Sequence, residues 1–539
     1  MTITSYQFLI FCGILVVLYF AMPNKWKKFQ WVLLLIANYT FYLINGIPQV
    51  AFIITSTAVT YGATMLMQKF RLDNKKRIAE MGDAVTREDK KAFKKEVAGK
   101  IKKVQYITVI LHLLTLAVVK YLNVTLGNIG SIISLFGKDV SMPTFSIIVP
   151  LGISFYTFAS IGYIIDIARG KYEPEKNPLK VALFVSFFPC IVQGPINRFS
   201  EAGIQMFEEH HFDYDRFVKG AELMLWGFFK KLVIADRAVL VVNTVMDKTD
   251  YVNFSGSQFI FAILLYFVQI YGDFSGGIDI TRGISEILGI DLPLNFERPL
   301  FATSVQEYWN RWHMTLGTWM RDYVFYPIML SKRISSLSGK LNKKHGKTTA
   351  KNVTSFITTF IVFFLMGIWH GASFQYIIYG VYNAIVVAGG VALIPACNKL
   401  KDFLHIDGSK FSYKLFCMFR VLCLTSISRL IVHTPSLEAL GFAIKSIFTN
   451  FNINFLFGLD GDYFELGLDA KNMFVLFLAI IILATVSILQ ENGMHIRDTL
   501  NKQNLAFKWF ILIALFVIVL IFGKYGPGYS ASSFIYQAY

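Results

Sequence analysis

Charged side chains are scarce in this chain: Asp, Glu, Lys and Arg make up 16% of its 539 residues, against about 25% in soluble globular proteins. So little charge excludes a disordered chain, a coiled coil and most soluble multidomain enzymes. Cysteine is sparse as well. Cys12, Cys190, Cys397, Cys417 and Cys423 sit in apolar stretches with no C-x-x-C spacing, which argues against a disulfide scaffold or a zinc site. There is no H-E-x-x-H, no G-x-S-x-G elbow, no Walker loop and no dinucleotide fingerprint. No Asp/Glu/His cluster has ligand spacing, so no metal is expected. Internal repeats and low-complexity tracts are also missing.

What is present is apolar. Hydrophobic residues make up 55% of the chain, and at about 20 residues per span the length allows roughly a dozen membrane helices. The first apolar run, 7–22, has no basic residue before it and no small-residue cleavage site after it. It reads as a retained helix rather than a signal peptide. Further runs lie near 30–45, 50–67, 104–123, 145–168, 178–196, 217–247, 256–273, 352–370, 374–396, 411–433, 472–490 and 505–523. The expected fold is all-α and polytopic. Several middle runs are broken by Gly and Pro, which suggests re-entrant or tilted helices buried in protein or lining a wet cavity.

The net charge of +17, from 52 basic and 35 acidic residues, is unevenly spread. Lys25, Lys27 and Lys28 follow the first run. Segment 69–103 has 13 basic and 6 acidic residues, and 331–351 has 7 basic and none acidic. These three stretches account for the whole surplus, so the positive-inside rule makes them cytoplasmic. Both termini are then expected outside. The acidic segments 197–216 and 434–470, each with 5 acidic residues, read as external. The surplus labels topology first and attracts an acidic or phosphorylated donor second. A nucleic-acid partner is not expected. Segment 69–103 reads as a solvated helix or loop, with docking of an acidic protein or anionic lipid as the alternative.

The chemistry-bearing stretch runs from 271 to 327. It contains Tyr271-Gly-Asp-Phe-Ser-Gly-Gly-Ile-Asp279, Leu294-Asn-Phe-Glu-Arg-Pro299 and Tyr308-Trp-Asn-Arg-Trp-His313. Ser304-Val-Gln-Glu307 is a capping box, so a helix is predicted to start there. Continued through His313, it would put Trp309, Asn310, Leu316 and Gly317 on the histidine's face. Asp273 and Asp279 either cap helices or serve the site. Phe364-Leu-Met-Gly-Ile-Trp-His-Gly-Ala372 places His370 at the end of an apolar span. An ionisable group there needs a partner and is a functional candidate by default. His112 and His433 also lie in apolar runs, so a histidine alone decides little. Lys230 and Lys231 stand inside another such run.

In these segments the sequence resembles the membrane-bound O-acyltransferase superfamily, most of all its bacterial alginate O-acetyltransferase type. The resemblance rests on Pro150-Leu-Gly-Ile-Ser-Phe-Tyr-Thr-Phe158, Phe188-Pro-Cys-Ile-Val-Gln-Gly-Pro-Ile196 with Arg198, and Phe228-Phe-Lys-Lys-Leu-Val-Ile-Ala-Asp236. It continues through Asp273-Phe-Ser-Gly276, Trp309-Asn-Arg-Trp-His313 with Arg321-Asp-Tyr323, Trp369-His-Gly371 and Phe534-Ile-Tyr536. Gly277, Cys190 and Gln193 depart from the group's usual residues, and 69–103 is longer than expected.

The resemblance implies a single membrane-embedded domain over 1–539, with roughly 11–13 transmembrane or re-entrant helices around a central funnel or tunnel. It implies acyl transfer to a hydroxyl, with His370 and His313 catalytic. On this reading His370 is the general base, and His313 either orients a substrate or donates to the oxyanion. Asn310, Trp319, Asp273 and Trp369 are candidate substrate-binding residues. No cofactor is bound; acetyl-CoA or another acyl thioester is the donor. The acceptor is an exported polysaccharide or an extracytoplasmic relay protein, and the setting is the lipid of a bacterial cell membrane. Two alternatives stand beside this. One is D-alanyl-type transfer from an acidic acyl carrier protein. The other is transport of a polysaccharide or lipid-linked sugar, which the missing repeats argue against.

Overall fold

The computed structural model describes residues 1–82, 86–134, 136–137, 142–246, 251–371, 373–456 and 466–525. The terminal Phe534-Ile-Tyr536 motif lies outside them. Among the described residues there are helices and one isolated β-bridge, with no strands. Eight helices are long and apolar enough to cross a membrane. The protein is therefore an all-α, multi-pass membrane protein. The chain divides into two compact units, Met1–Gly220 with Ile284–Pro293, and Ala221–Gly283 with Leu294–Tyr539.

The first unit holds α1 (Tyr6–Phe20), α2 (Gln30–Asn45), α3 (Ile47–Glu80), α4 (Arg87–Ser134), α5 (Ile153–Arg169), α6 (Pro178–Ser186) and α7 (Phe188–Val192). Helices α3 and α4 form a hairpin in which 69–80 and 87–103 of the basic segment are helical. From residue 69 to its end, α3 continues for about 18 Å at 1.5 Å per residue. Its outward face is solvated, with Glu96 exposed between Arg77 (3.2 Å) and Lys100 (2.8 Å). Arg71 ties the hairpin to the C-terminal carbonyls of α5, donating to Ile167 and Ala168. This is a favourable end for a cation.

The 178–196 run does not make a straight crossing. It is split at Phe187 into helices of 9 and 5 residues, each too short to span. The chain after it returns to the basic turn: Lys27 Nζ lies 2.5 Å from His211 Nδ1, and Gln30 pairs with the His210 backbone at 2.9–3.0 Å. Segment 197–216 therefore lies beside Lys27, so the expectation that places the two on opposite sides of a membrane does not hold for both. The positive-inside rule counts Lys and Arg and gives little weight to Asp and Glu, so the acidic content of 197–216 does not by itself set its side.

Helix α8 (Tyr214–Phe228) leads into the second unit. There it passes through a π-helical stretch, Phe229–Ala235, into α9 (Asp236–Met246). Then come α10 (Gly256–Ile287), α11 (Val305–Arg311), α12 (Met314–Met320), α13 (Tyr326–Met329), α14 (Lys332–His370) and α15 (Phe374–Phe403). The remainder are α16 (Phe411–His433), α17 (Leu437–Thr449), α18 (Ile453–Leu456), α19 (Ala470–Glu491), α20 (Ile496–Asn501) and α21 (Leu505–Phe522). The basic segment 331–351 forms the first part of α14, and α17 lies within 434–470.

The π-helical stretch explains the two lysines in an apolar run. Residues five apart align in a π turn, so Lys231 reaches Asp236 at 2.8 Å and, across to α10, Asp273 at 2.6 Å. Lys230 reaches Asp279 at 2.7 Å and Ser275 at 2.8 Å. Lys231 and both its carboxylates are fully buried. Asp273 and Asp279 sit inside α10 and do not cap it. The two segments can approach this closely because Gly227 and Gly276 meet. A Cβ on Gly227 would lie 2.6 Å from the Gly276 carbonyl oxygen.

Removing one partner of a buried ion pair strands the other charge and costs about 3–5 kcal/mol. Lys231→Met is therefore expected to lower the unfolding free energy in detergent by about that amount. Neutralising Asp236 and Asp273 in the same protein should recover most of it. Unchanged stability in Lys231→Met would contradict the pairing.

Candidate active site

The site lies in the second unit, where the chain from 294 to 320 folds against α10 and α14. Ser304 caps α11 as its sequence predicts, its hydroxyl accepting from the Glu307 N–H at 3.1 Å. Glu307 accepts from the Thr303 N–H at 2.8 Å, one residue before the cap. The helix then stops at Arg311. Trp312 is extended and His313 is left-handed, at φ 46° and ψ 52°, before α12 starts at Met314. The expected continuous helix through His313 is thus broken: Asn310 belongs to α11, whereas the Gly317 N–H donates to the His313 carbonyl at 3.1 Å in the first turn of α12.

A second strand of backbone causes the break. Phe296 and Trp312 form an antiparallel bridge, and the Glu297 N–H donates to the Arg311 carbonyl at 2.9 Å. The segment is anchored by Glu491 at the end of α19, which binds Arg298 at 2.6 Å and Arg311 at 3.0 Å. A left-handed backbone costs a non-glycine residue about 1–3 kcal/mol and persists only where neighbours enforce it. Here they do.

His313 is buried, 3% exposed. Its Nδ1 lies 3.1 Å from Asn295 Oδ1. The Phe274 ring meets it edge-on at 4.8 Å, and the Trp369 indole lies 6.3 Å away. His313 is outside the eight candidate spans, and burial pushes its imidazole down to about 3. It is therefore neutral at physiological pH. His370 ends α14 and is half-buried. Its ring contacts Trp369 at 4.6 Å, stacks on Tyr376 at 6.2 Å and meets Tyr379 at 5.7 Å. Trp369, 7% exposed, therefore touches both histidines.

The position of His370 depends on α14 meeting α15 closely. A Cβ on Gly367 would fall 2.4 Å from the Tyr376 carbonyl oxygen and 2.9 Å from the Gly380 Cα. The other sequence candidates are placed unequally. Trp319 is buried against Tyr323, with ring centroids 5.1 Å apart. Asp273 is taken up by Lys231. Asn310 is exposed on α11.

Residues not singled out in the sequence complete the site. Arg429 of α16 is buried, donates to the Tyr308 hydroxyl at 2.5 Å and lies over the Trp312 ring at 4.5 Å. Asn295 holds His313. The other histidines in apolar helices have structural surroundings: His112 meets the Thr60 hydroxyl at 3.2 Å, and the His433 ring packs tilted against Tyr266 at 4.4 Å. No group of three His, Cys, Asp or Glu could hold a metal among the described residues.

Two imidazoles meet one indole, with a buried guanidinium hydrogen-bonded to a buried hydroxyl nearby, an arrangement whose groups can exchange protons and position polar atoms. Residues 175–428, which include both histidines, match the family model of MBOAT, the membrane-bound O-acyltransferase family. This bears out the resemblance carried by the motifs.

Among individual relatives, the chain is 34% identical over 298 residues to the probable alginate O-acetylase AlgI of Pseudomonas aeruginosa, a match covering 54% of this chain and 53% of that one. It is 30% identical over 282 residues to the peptidoglycan O-acetyltransferase of Helicobacter pylori, covering 48% and 50%. It is 32% identical over 253 residues to the teichoic acid D-alanyltransferase of Bacillus subtilis, covering 46% and 60%. The chain thus spans about half the length of the curated relatives it matches.

Gly367→Ala should wedge α14 from α15. Overpacking of this kind costs about 1–3 kcal/mol, to be read from the unfolding midpoint in detergent. Gly389→Ala, with nothing within 4 Å of its Cβ, should leave it unchanged.

Proposed function

We propose that this protein is a membrane-bound O-acyltransferase that moves an acyl group, acetyl in the first reading, from a cytoplasmic thioester to a hydroxyl outside. The observation that carries the reading is the pair of histidines on Trp369 within the family-matched segment. The acceptor is an exported cell-surface polysaccharide or a partner protein that relays the group. The donor is acetyl-CoA or a similar thioester, drawn by the basic α3–α4 hairpin and the basic start of α14 on the cytoplasmic side of a bacterial cell membrane. Both ends of the chain then face outward. The helices would enclose a passage through which donor and acceptor meet.

A hydroxyl is a poor nucleophile near neutral pH, and a neutral imidazole is a suitable base. His370 takes the proton as the acceptor oxygen attacks the thioester carbonyl carbon. The tetrahedral intermediate collapses, the C–S bond breaks, and the imidazolium returns the proton to the departing sulfur. The ester and the free thiol are the products. His313 orients a substrate or supports the oxyanion. Trp369 and Trp319 wall the site, Asp273 acts through Lys231, and Asn310 lines its outer edge. A water-poor site strengthens such hydrogen bonds and limits hydrolysis of the thioester.

A second reading has support from the relatives named teichoic acid D-alanyltransferase and from the exposed basic hairpin. On that reading an acidic carrier protein brings the acyl group. Binding of CoA against binding of a phosphopantetheinyl carrier separates the two. The family match favours both over transport.

In proteoliposomes supplied with labelled acetyl-CoA and a polysaccharide or oligosaccharide acceptor, His370→Ala should lower acyl transfer by about 10²–10⁴-fold, the range of general-base catalysis. His313→Ala should be impaired as well. A folded His370→Ala protein with full transfer would remove the assignment.

A further inference from the structure

Asn295 is 1% exposed, and four donors converge on it. Its Oδ1 accepts from the Thr315 backbone N–H at 3.0 Å and the Thr315 hydroxyl at 2.9 Å, and lies 3.1 Å from His313 Nδ1. Its backbone carbonyl accepts from the Met314 N–H at 3.0 Å. A backbone N–H can only donate, so the amide atom facing Thr315 is the oxygen. The usual ambiguity in the orientation of an amide does not apply. An amide oxygen can only accept. The His313 nitrogen facing it must therefore carry the proton.

The amide nitrogen supports this. Among the described residues, Asn295 Nδ2 is buried with no hydrogen-bond partner. Leaving a buried donor unsatisfied costs about 1–3 kcal/mol. The side chain is thus placed for its oxygen, and that oxygen serves the turn 313–315.

We infer that Asn295 is a positioning residue that fixes His313 as the Nδ1–H tautomer, with a lone pair on Nε2. Resting on the acyl-transfer reading for what Nε2 meets, the assignment decides between the two roles open to His313. Neutral His313 accepts a hydrogen bond from a substrate O–H or N–H at Nε2 and so orients that group. It does not donate to the oxyanion from that nitrogen. Asn295 also closes the left-handed turn, so one side chain sets both the backbone and the proton position of the histidine.

The test uses the full-length protein, labelled with [15N]histidine, in nanodiscs. Subtracting the spectrum of a folded His313→Phe variant isolates the His313 ring signals. A pyrrole-type Nδ1 and a pyridine-type Nε2 are expected in the wild type. Asn295→Leu should lose this pattern and lower acyl transfer by about 10²–10⁴-fold. Asn295→Asp, which still accepts at the same place, should keep the pattern and at least a tenth of the transfer. An Nε2–H tautomer in the wild type overturns the assignment even if neither Asn295 variant folds, and so does an unchanged pattern in Asn295→Leu. The Nδ1–H tautomer in a wild-type protein with no acyl transfer would leave Asn295 in this role and remove the reading it rests on.

Discussion

The second unit is organised around the pairing of two buried lysines with carboxylates on α10. Lys231 sits between Asp236 and Asp273, and Lys230 reaches Asp279 and Ser275. An uncompensated charge in an apolar interior is expensive, so these pairs hold the π-helical stretch and α10 in one register. They also grip the turn on either side of Phe274, whose ring lies edge-on to His313. The charges that look misplaced in an apolar run thus fix the floor on which the histidine rests.

From that floor the site is built by interruption of helices. The 305–320 stretch has the composition of one helix and is two, because 295–298 lies across it and Glu491 ties both sides down. His313 takes the left-handed position at the break. His370 comes from the opposite kind of element, the last residue of α14, which runs on from a kink at Gly346. Trp369 joins the two by touching both rings. A site with one histidine on a strained turn and one on a helix end can hold its two imidazoles in different environments, one buried and one half-buried.

Much of this was legible in the sequence. The fold class followed from composition and from the apolar runs, and the Ser304 cap from a four-residue pattern. His370 stood out because an ionisable residue ends an apolar span. What was not legible depends on distant partners. Lys230 and Lys231 looked anomalous until Asp273 and Asp279 were seen across from them, 42–49 residues on. Periodicity carried the helix through His313 because the interrupting segment, Asn295 to Arg298, lies before the helix begins. Asn295 itself stood in a quoted motif, but nothing local marks an asparagine whose oxygen will serve residues 18 and 20 positions later. Arg429 was hidden in an apolar helix. Net charge did not reveal that 197–216 contacts Lys27 through His211.

The role of the two histidines is decided by a structure of the protein in lipid nanodiscs with a non-hydrolysable thioether analogue of an acyl donor. The carbonyl of the analogue is expected beside the His370 imidazole and within reach of His313, against the Trp369 indole. A donor carbonyl bound elsewhere, touching neither histidine, would contradict that role.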